Sequence, residues 1–211
     1  MAILPQEFYN GDTVEIAQKL LGKYLVRIWQ GQPLVCRITE TEAYVGRCDK
    51  ACHAYGYHKT ARNAVLFGEP GHAYIYFIYG MYHCLNFVTE PAGEPAAVLI
   101  RGGEPVSGTA VMERLRYGEK AVRLTPAQRR NLMNGPGKLC KALSLSKHEN
   151  ELDLTKPPLF VCADLKELNL SLPSLPRRTE KICVSPRIGV DYAEEARDFP
   201  WRFYLESEES P

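Results

Sequence analysis

The sequence predicts an α+β fold. Three observations carry that prediction: short apolar runs arrive in pairs joined by tight turns, helical patterns lie apart from those pairs, and no strand–helix–strand alternation recurs. At 211 residues, 45% hydrophobic and 24% charged, the chain suits a single domain over residues 1–211 with a substantial core. The longest apolar stretch, Ile75 to Val88, is broken by Gly80, His83 and Asn86 and does not read as a membrane span. Met1 leads into Ala2-Ile3-Leu4-Pro5 with no basic or long apolar leader region, so the expectation is a cytoplasmic protein.

Asp12-Thr13-Val14-Glu15 starts a helix, with Asp12 or Thr13 as cap and an acid in the first turn. Ile16, Ala17, Leu20 and Leu21 form its apolar face and Gly22 ends it. Lys23–Trp29 reads as a strand, Gln30–Pro33 as a turn and Leu34–Tyr44 as a second strand, an antiparallel hairpin because the connection is so short. Val45–Gly71 has no periodicity, and a connection of that length with so many aromatics is expected to be functional. Tyr74–Ile78 and His83–Val88 form a second strand pair through Tyr79-Gly80-Met81-Tyr82, and Ala96–Arg101 is a further short strand. Thr109–Arg116, Pro126–Met133 and Lys138–Leu145 look helical, with Pro126 and Pro136 near the starts of the last two. Pro157–Pro176 reads as irregular and Arg202–Leu205 as a closing strand.

Seven cysteines (Cys36, Cys48, Cys52, Cys84, Cys140, Cys162, Cys183) make an odd number with no Cys-x-x-Cys pair, which favours free thiols in a reducing compartment. Cys48, Cys52 and His53 are the closest approach to a metal-ligand cluster, with His83 and Cys84 as further candidates. The formal charge of +1 hides an asymmetry. From Arg101 to Lys147 ten cations face three anions, a local +7, whereas from Asp191 onward seven anions face two cations. A basic segment of this kind suits a polyanion, and equally a set of solvated helix faces.

No Gly-x-Gly-x-x-Gly, Walker loop or zinc-deaminase pattern is present, and Ser144-Leu145-Ser146-Lys147 has no companion motif. The chemistry-bearing residues concentrate between Glu40 and Arg101. Strand alternation puts Glu40, Glu42 and Tyr44 on one face beside the long loop, where a general base or a plain polar face would sit. Tyr74 and Tyr76 share a face opposite Ile75 and Phe77, and Tyr79 stands at a hairpin tip. Tyrosine rings with polar handles suit stacking on a heteroaromatic base, and an aromatic on a rigid hairpin can wedge into a duplex. A tyrosine-rich sheet core is the other reading of the same residues.

These residues resemble a known family. Glu40-Thr41-Glu42-Ala43-Tyr44, His53, Thr60-Ala61-Arg62-Asn63, Pro70-Gly71, Tyr74 through Tyr82, Asn86 and Val98-Leu99-Ile100-Arg101 are similar, in colinear order, to the alkyladenine (3-methyladenine) DNA glycosylases. Asn134-Gly135-Pro136-Gly137-Lys138-Leu139-Cys140 and Arg187-Ile188-Gly189-Val190 extend the resemblance towards the C-terminus. The long N-terminal extension of mammalian members has no counterpart here, a difference expected to affect partners more than chemistry.

The resemblance implies a compact mixed domain around a curved antiparallel sheet, acting as a monomer on double-stranded DNA that contains damaged purines, without cofactor or metal. It implies Glu42 as the general base, with Arg101 and the backbone carbonyl of Ile188 positioning the water. Tyr44, His53 and Tyr76 would line the base pocket, Asn86 would filter purines at its wall, and Tyr79 would be the intercalating wedge. Thr60, Arg62, Lys138 and Lys147 would meet DNA phosphates. The implied substrates are 3-methyladenine, 7-methylguanine, hypoxanthine and ethenoadenine, and a bacterial member would work at the nucleoid.

Hydrolysis of an N-glycosidic bond passes through an oxocarbenium-like sugar, which one carboxylate can both stabilise and supply with an activated water. No lysine near Glu42 is suited to a Schiff base, so no lyase step is expected. Two other readings remain at the level of residues. The tyrosine hairpin and basic segment could serve a non-catalytic module for distorted or single-stranded DNA, and Cys48, Cys52 and His53 could serve a metal-dependent nucleotide hydrolase.

Overall fold

The computed structural model describes residues 3–166 and 179–207. The chain enters through two short helices, α1 (Gln6–Tyr9) and α2 (Thr13–Lys19), the second capped by the Asp12 carboxylate, which accepts from the Glu15 amide at 2.9 Å. It then forms the expected hairpin, β1 (Tyr24–Trp29) with β2 (Gln32–Val45). Gln30 and Gly31 both take positive φ, 48° and 77°, the geometry of a two-residue turn that matches strand twist.

β2 is the spine of the molecule. β5 (Ala96–Ser107) pairs along one of its edges, and its other edge is shared by β1 over the first half and β9 (Arg202–Ser207) over the second. The change of partner coincides with register shifts at Ile38, Glu40 and Thr41, a bulged region that bends the strand and opens the sheet. β3 (Ala73–Ile78) and β4 (Tyr82–Val88) extend the sheet beyond β5, while β6 (Thr155–Lys156) and β7 (Leu159–Cys162) extend it beyond β1. β8 (Glu180–Ser185) pairs with β9, and every pairing between these strands is antiparallel. The fold is α+β with a curled antiparallel sheet, as the sequence predicts.

The helices α3 (Thr109–Tyr117), α4 (Pro126–Arg130) and α5 (Pro136–Ala142) follow β5. The main core joins Ile16 and Leu20 of the α2 side with Ile38, Ile75, Phe87, Ile100, Met112 and Leu139. A second cluster around Cys52, Leu66, Tyr74, Val88 and Ala97 has Tyr44 and Tyr76 packed against it. β3 therefore separates its faces as alternation requires, Ile75 into one cluster and Tyr74 with Tyr76 into the other.

Several boundaries differ from the sequence reading. α4 ends at Arg130, not Met133, because the next residues turn to meet the sheet: Gly103 N donates to the Met133 carbonyl at 3.3 Å, and Asn134 bridges to Gly102. α5 begins two residues earlier and ends three earlier than Lys138–Leu145. β5 runs on past Arg101 to Ser107, since Gly102-Gly103 is not a break but a close approach. A Cβ on Gly103 would stand 3.0 Å from the Arg37 carbonyl oxygen. β7 lies inside the segment read as irregular, held by its pairing with β1, and α1 and β8 had no sequence reading. Residues 167–176 of that Leu/Pro-rich segment lie outside the described residues. No helix among the described residues is long and apolar enough to cross a membrane.

Candidate active site

Glu42 lies on β2 just past the bulge, with its side chain 0% exposed. A carboxylate in such a place must be supplied with donors. Tyr44, two residues further along the same face, donates its hydroxyl to Oε2 at 2.8 Å. The Ile188 backbone N–H donates to Oε1 at 2.8 Å, and Arg101 Nη1 stands 3.4 Å from the carboxylate.

Arg101 comes from β5, the strand paired beside Glu42. Its Nε donates to Glu40 Oε1 at 3.0 Å, and Arg202 Nε donates to the same oxygen at 2.6 Å. Glu40 is thus taken up by two guanidinium groups, whereas Glu42, itself outside the cavity lining, is held by three residues that belong to it, Tyr44, Arg101 and Ile188. Burial disfavours the Arg101 charge, but Glu42 and then Glu40 outweigh it and hold the guanidinium pKa above its usual value. The Tyr44 phenol is pushed well above its usual pKa, first by burial and then by Glu42, so it stays protonated as a donor.

Above this floor opens a cavity of about 710 Å³, lined among others by Tyr44, His53, Tyr76, Asn86, Arg101 and Ile188. His53 and Tyr76 rings meet edge-on with centroids 4.5 Å apart, and His53 Nδ1 lies 2.8 Å from the Tyr74 hydroxyl. Desolvation first, then Arg62, lowers the His53 pKa, which favours the neutral ring. Tyr74 is pushed up to about 12, chiefly by burial. Asn86 is buried on β4 with its Nδ2 donating to the Tyr74 carbonyl at 3.1 Å and the Cys84 carbonyl at 3.4 Å, which pins the amide in one orientation. A fully buried carboxylate with fixed donors, next to an aromatic-lined cavity, can activate a water against a bound planar substrate.

A sequence profile of the family described as Methylpurine-DNA glycosylase (MPG) matches residues 7–209. The chain belongs to the methylpurine-DNA glycosylase family. It is 49% identical to a protein of Bacillus cereus (strain B4264) over 96% of this chain and 95% of that one. It is 48% identical to proteins of Bacillus anthracis (strain CDC 684 / NRRL 3495) and Bacillus cytotoxicus, again over 96% of this chain and 95% or 96% of theirs. All three relatives carry the name "Putative 3-methyladenine DNA glycosylase". Membership makes the chain a DNA N-glycosylase, a hydrolase of base-excision repair, and the reading as a non-catalytic DNA-binding module gives way to it.

In this methylpurine-DNA glycosylase fold the rim residues divide into those at the cavity and those away from it. Tyr79 stands at the β3–β4 tip, 77% exposed, with φ at 53° followed by Gly80 at 67°. A tyrosine in left-handed backbone costs about 1–2 kcal/mol and keeps its ring off the core. Lys138 lines the cavity and donates to Asn134 Oδ1 at 2.8 Å. Arg62 lies just outside the lining, donating to the Phe77 carbonyl at 3.1 Å with its guanidinium 5.5 Å from the Tyr76 ring centroid. Thr60 and Lys147 do not line the cavity. Thr60 Oγ1 accepts from the Asn63 amide at 3.3 Å, and Lys147 opens a short 3-10 turn, Lys147–Glu149, behind β3.

Sequence reasoning assigned no role to Asn63, Arg187, Asp49 or Tyr192. Asn63 Nδ2 donates to the His53 and His58 carbonyls at 2.8 and 2.9 Å, stapling the aperiodic loop that carries His53. Tyr192 is exposed on the rim of the cavity. Asn63 and Arg187 both fall in quoted motifs of the resemblance, which was the signal available. Cys48 is exposed and Cys52 buried, and among the described residues no three His, Cys, Asp or Glu side chains group to hold a metal.

Proposed function

We propose that this glycosylase extrudes alkylated or deaminated purines from duplex DNA and hydrolyses their N-glycosidic bond with a water activated by Glu42. The observation that carries the reading is the buried Glu42 carboxylate, held directly behind an aromatic cavity by three groups whose residues line it, the Tyr44 hydroxyl, the Ile188 amide and Arg101. The water oxygen bonds to the sugar C1′, its proton passes to Glu42, and the glycosidic electron pair leaves with the base nitrogen. A cationic base such as 3-methyladenine or 7-methylguanine then departs neutral and needs no second carboxyl group, while a neutral base such as hypoxanthine departs as its anion and takes a proton from water. Glu40, committed to Arg101 and Arg202, serves to hold Arg101.

The extruded base lies among Tyr44, Tyr76 and His53, where an electron-poor alkylated purine stacks favourably on tyrosine. Asn86 cannot swing aside without breaking its amide's bonds to two backbone carbonyls, and that rigidity suits a steric filter against the guanine amino group. The Ile188 carbonyl helps position the water while its amide holds Glu42. Tyr79 enters the stack in place of the lost base, with Arg62 and Lys138 on flanking phosphates. Thr60 and Lys147 stay in the proposal only as outlying phosphate contacts. The enzyme acts as a monomer and is monofunctional. Lys138, the lysine in the lining, is engaged by Asn134, away from any role as an amine nucleophile.

The test is release of free base from a duplex carrying one ethenoadenine or hypoxanthine, comparing wild type with Glu42→Gln. Release by wild type alone supports the assignment. Equal release by both removes Glu42 from the chemistry, and release by neither, with tight binding by both, moves the reading to another lesion.

A further inference from the structure

Of the three donors that meet Glu42, two are the Tyr44 phenol and the Ile188 amide, and one buried ion pair touches the carriers of both. Arg187 and Asp49 have side chains with 0% exposure. Arg187 Nη2 donates to Asp49 Oδ1 at 2.7 Å and Nη1 donates to Oδ2, a bidentate fork. The second proton of each terminal nitrogen anchors the pair to the frame, Nη1 to the Ala43 carbonyl at 2.8 Å and Nη2 to the Ala196 carbonyl at 2.9 Å, while Nε is buried without a hydrogen-bond partner. The guanidinium stacks 4.6 Å from the Tyr44 ring centroid and 5.3 Å from that of Trp201. Asp49 in turn accepts from the Ala51 amide at 2.9 Å, at the start of the loop that leads to His53.

Ala43 is the residue between Glu42 and Tyr44, and Ile188 directly follows Arg187. One guanidinium therefore touches the β2 backbone between base and phenol, supports the phenol ring from beneath, and holds the segment whose next amide meets Glu42 Oε1. We propose that the Arg187–Asp49 pair is a positioning device for catalysis, fixing two of the three donors that orient the Glu42 carboxylate, the Tyr44 phenol and the Ile188 amide, without touching substrate. A buried pair of this kind contributes little net stability compared with a hydrophobic replacement, which leaves placement as the reason for this arrangement. The proposal rests on Glu42 as the general base.

The experiment measures single-turnover base release and lesion-duplex affinity for wild type, Arg187→Lys, Asp49→Asn and Glu42→Gln, and for each clamp variant combined with Glu42→Gln. Misplacing a reacting group by about 1 Å costs on the order of 10²-fold. The clamp variants are therefore expected to slow release by about 10- to 100-fold with lesion affinity kept within about twofold. On the Glu42→Gln background the clamp substitutions cause no further loss.

An equal additional loss on that background, or a parallel fall of rate and affinity, overturns the proposal. If Glu42→Gln alone retains the wild-type rate, the base assignment fails first, a result separate from any behaviour of Arg187. Melting curves identify a variant that does not fold. Should Arg187→Lys be such a variant, Asp49→Asn, which keeps the shape of the side chain and one acceptor oxygen, decides the question.

Discussion

Glu42 on β2, behind the cavity, and Tyr79 in the β3–β4 turn at its lining belong to the same sheet, yet they are held in opposite ways. Glu42 is sealed from solvent, and both carboxylate oxygens are met by donors from β2, β5 and the loop around Ile188. Tyr79 is 77% exposed on a turn with two successive positive φ angles, and its neighbour Met81 is also exposed. The difference matches the roles proposed for the two residues, a base for Glu42 and a wedge for Tyr79. A base must be in place before the reaction, because dipoles that have to reorganise give back what they stabilise. A wedge must present apolar surface to a partner that is absent until binding, so its burial is deferred to the complex.

The strongest way to break this comparison is Glu42→Gln. Loss of a positioned general base is expected to slow excision by about 10²- to 10⁴-fold while lesion binding persists, as read by single-turnover release and titration of the duplex. Next in size is Tyr79→Ala, expected to weaken lesion-duplex binding by about 1–3 kcal/mol, the worth of one stacked aromatic. Its excision rate at saturating enzyme stays close to wild type. If hydrolysis of a free damaged nucleoside fell equally, Tyr79 would belong to the floor and the contrast would collapse.

A smaller effect is expected from Lys138→Ala, which should weaken binding to damaged and undamaged duplex alike and reduce the salt slope of log K by about one. The smallest concerns His53. Its folded pKa is lowered by desolvation and by Arg62, so as pH falls below about 6.5 the unfolded chain takes up the proton first and stability declines. An NMR titration should place the His53 midpoint below the usual histidine value, and Arg62→Gln should raise it only in part, since desolvation is the larger cause.

The floor was largely legible in the sequence because strand alternation is a local rule. Glu40, Glu42 and Tyr44 share a face as the period of two requires, and Tyr74 with Tyr76 parts from Ile75 in the same way. The turn at Tyr79-Gly80 was readable for the same reason. The long connection from Val45 to Gly71 was recognisable as aperiodic, but its conformation depends on side chains such as Asn63 and Asp49 serving backbone groups, which no periodicity announces. The extension of β5 through Gly102-Gly103 was missed because adjacent glycines signal a turn locally, whereas here they allow backbones to approach.

By itself the sequence determined the class of fold, the carboxylate and aromatic faces of the strands, and, through the resemblance its motifs carry, the family. Each of these rests on patterns within a few residues or on motifs in order along the chain. Only the tertiary structure decided that Glu40 is consumed by Arg101 and Arg202, that the Ile188 amide meets Glu42, and that Arg187 and Asp49, 138 residues apart, lie sealed beneath Tyr44. Such contacts are made where β2 changes partner from β1 to β9 and the sheet curls. That change depends on the pairing of strands far apart in sequence, for which a linear pattern carries no local signal.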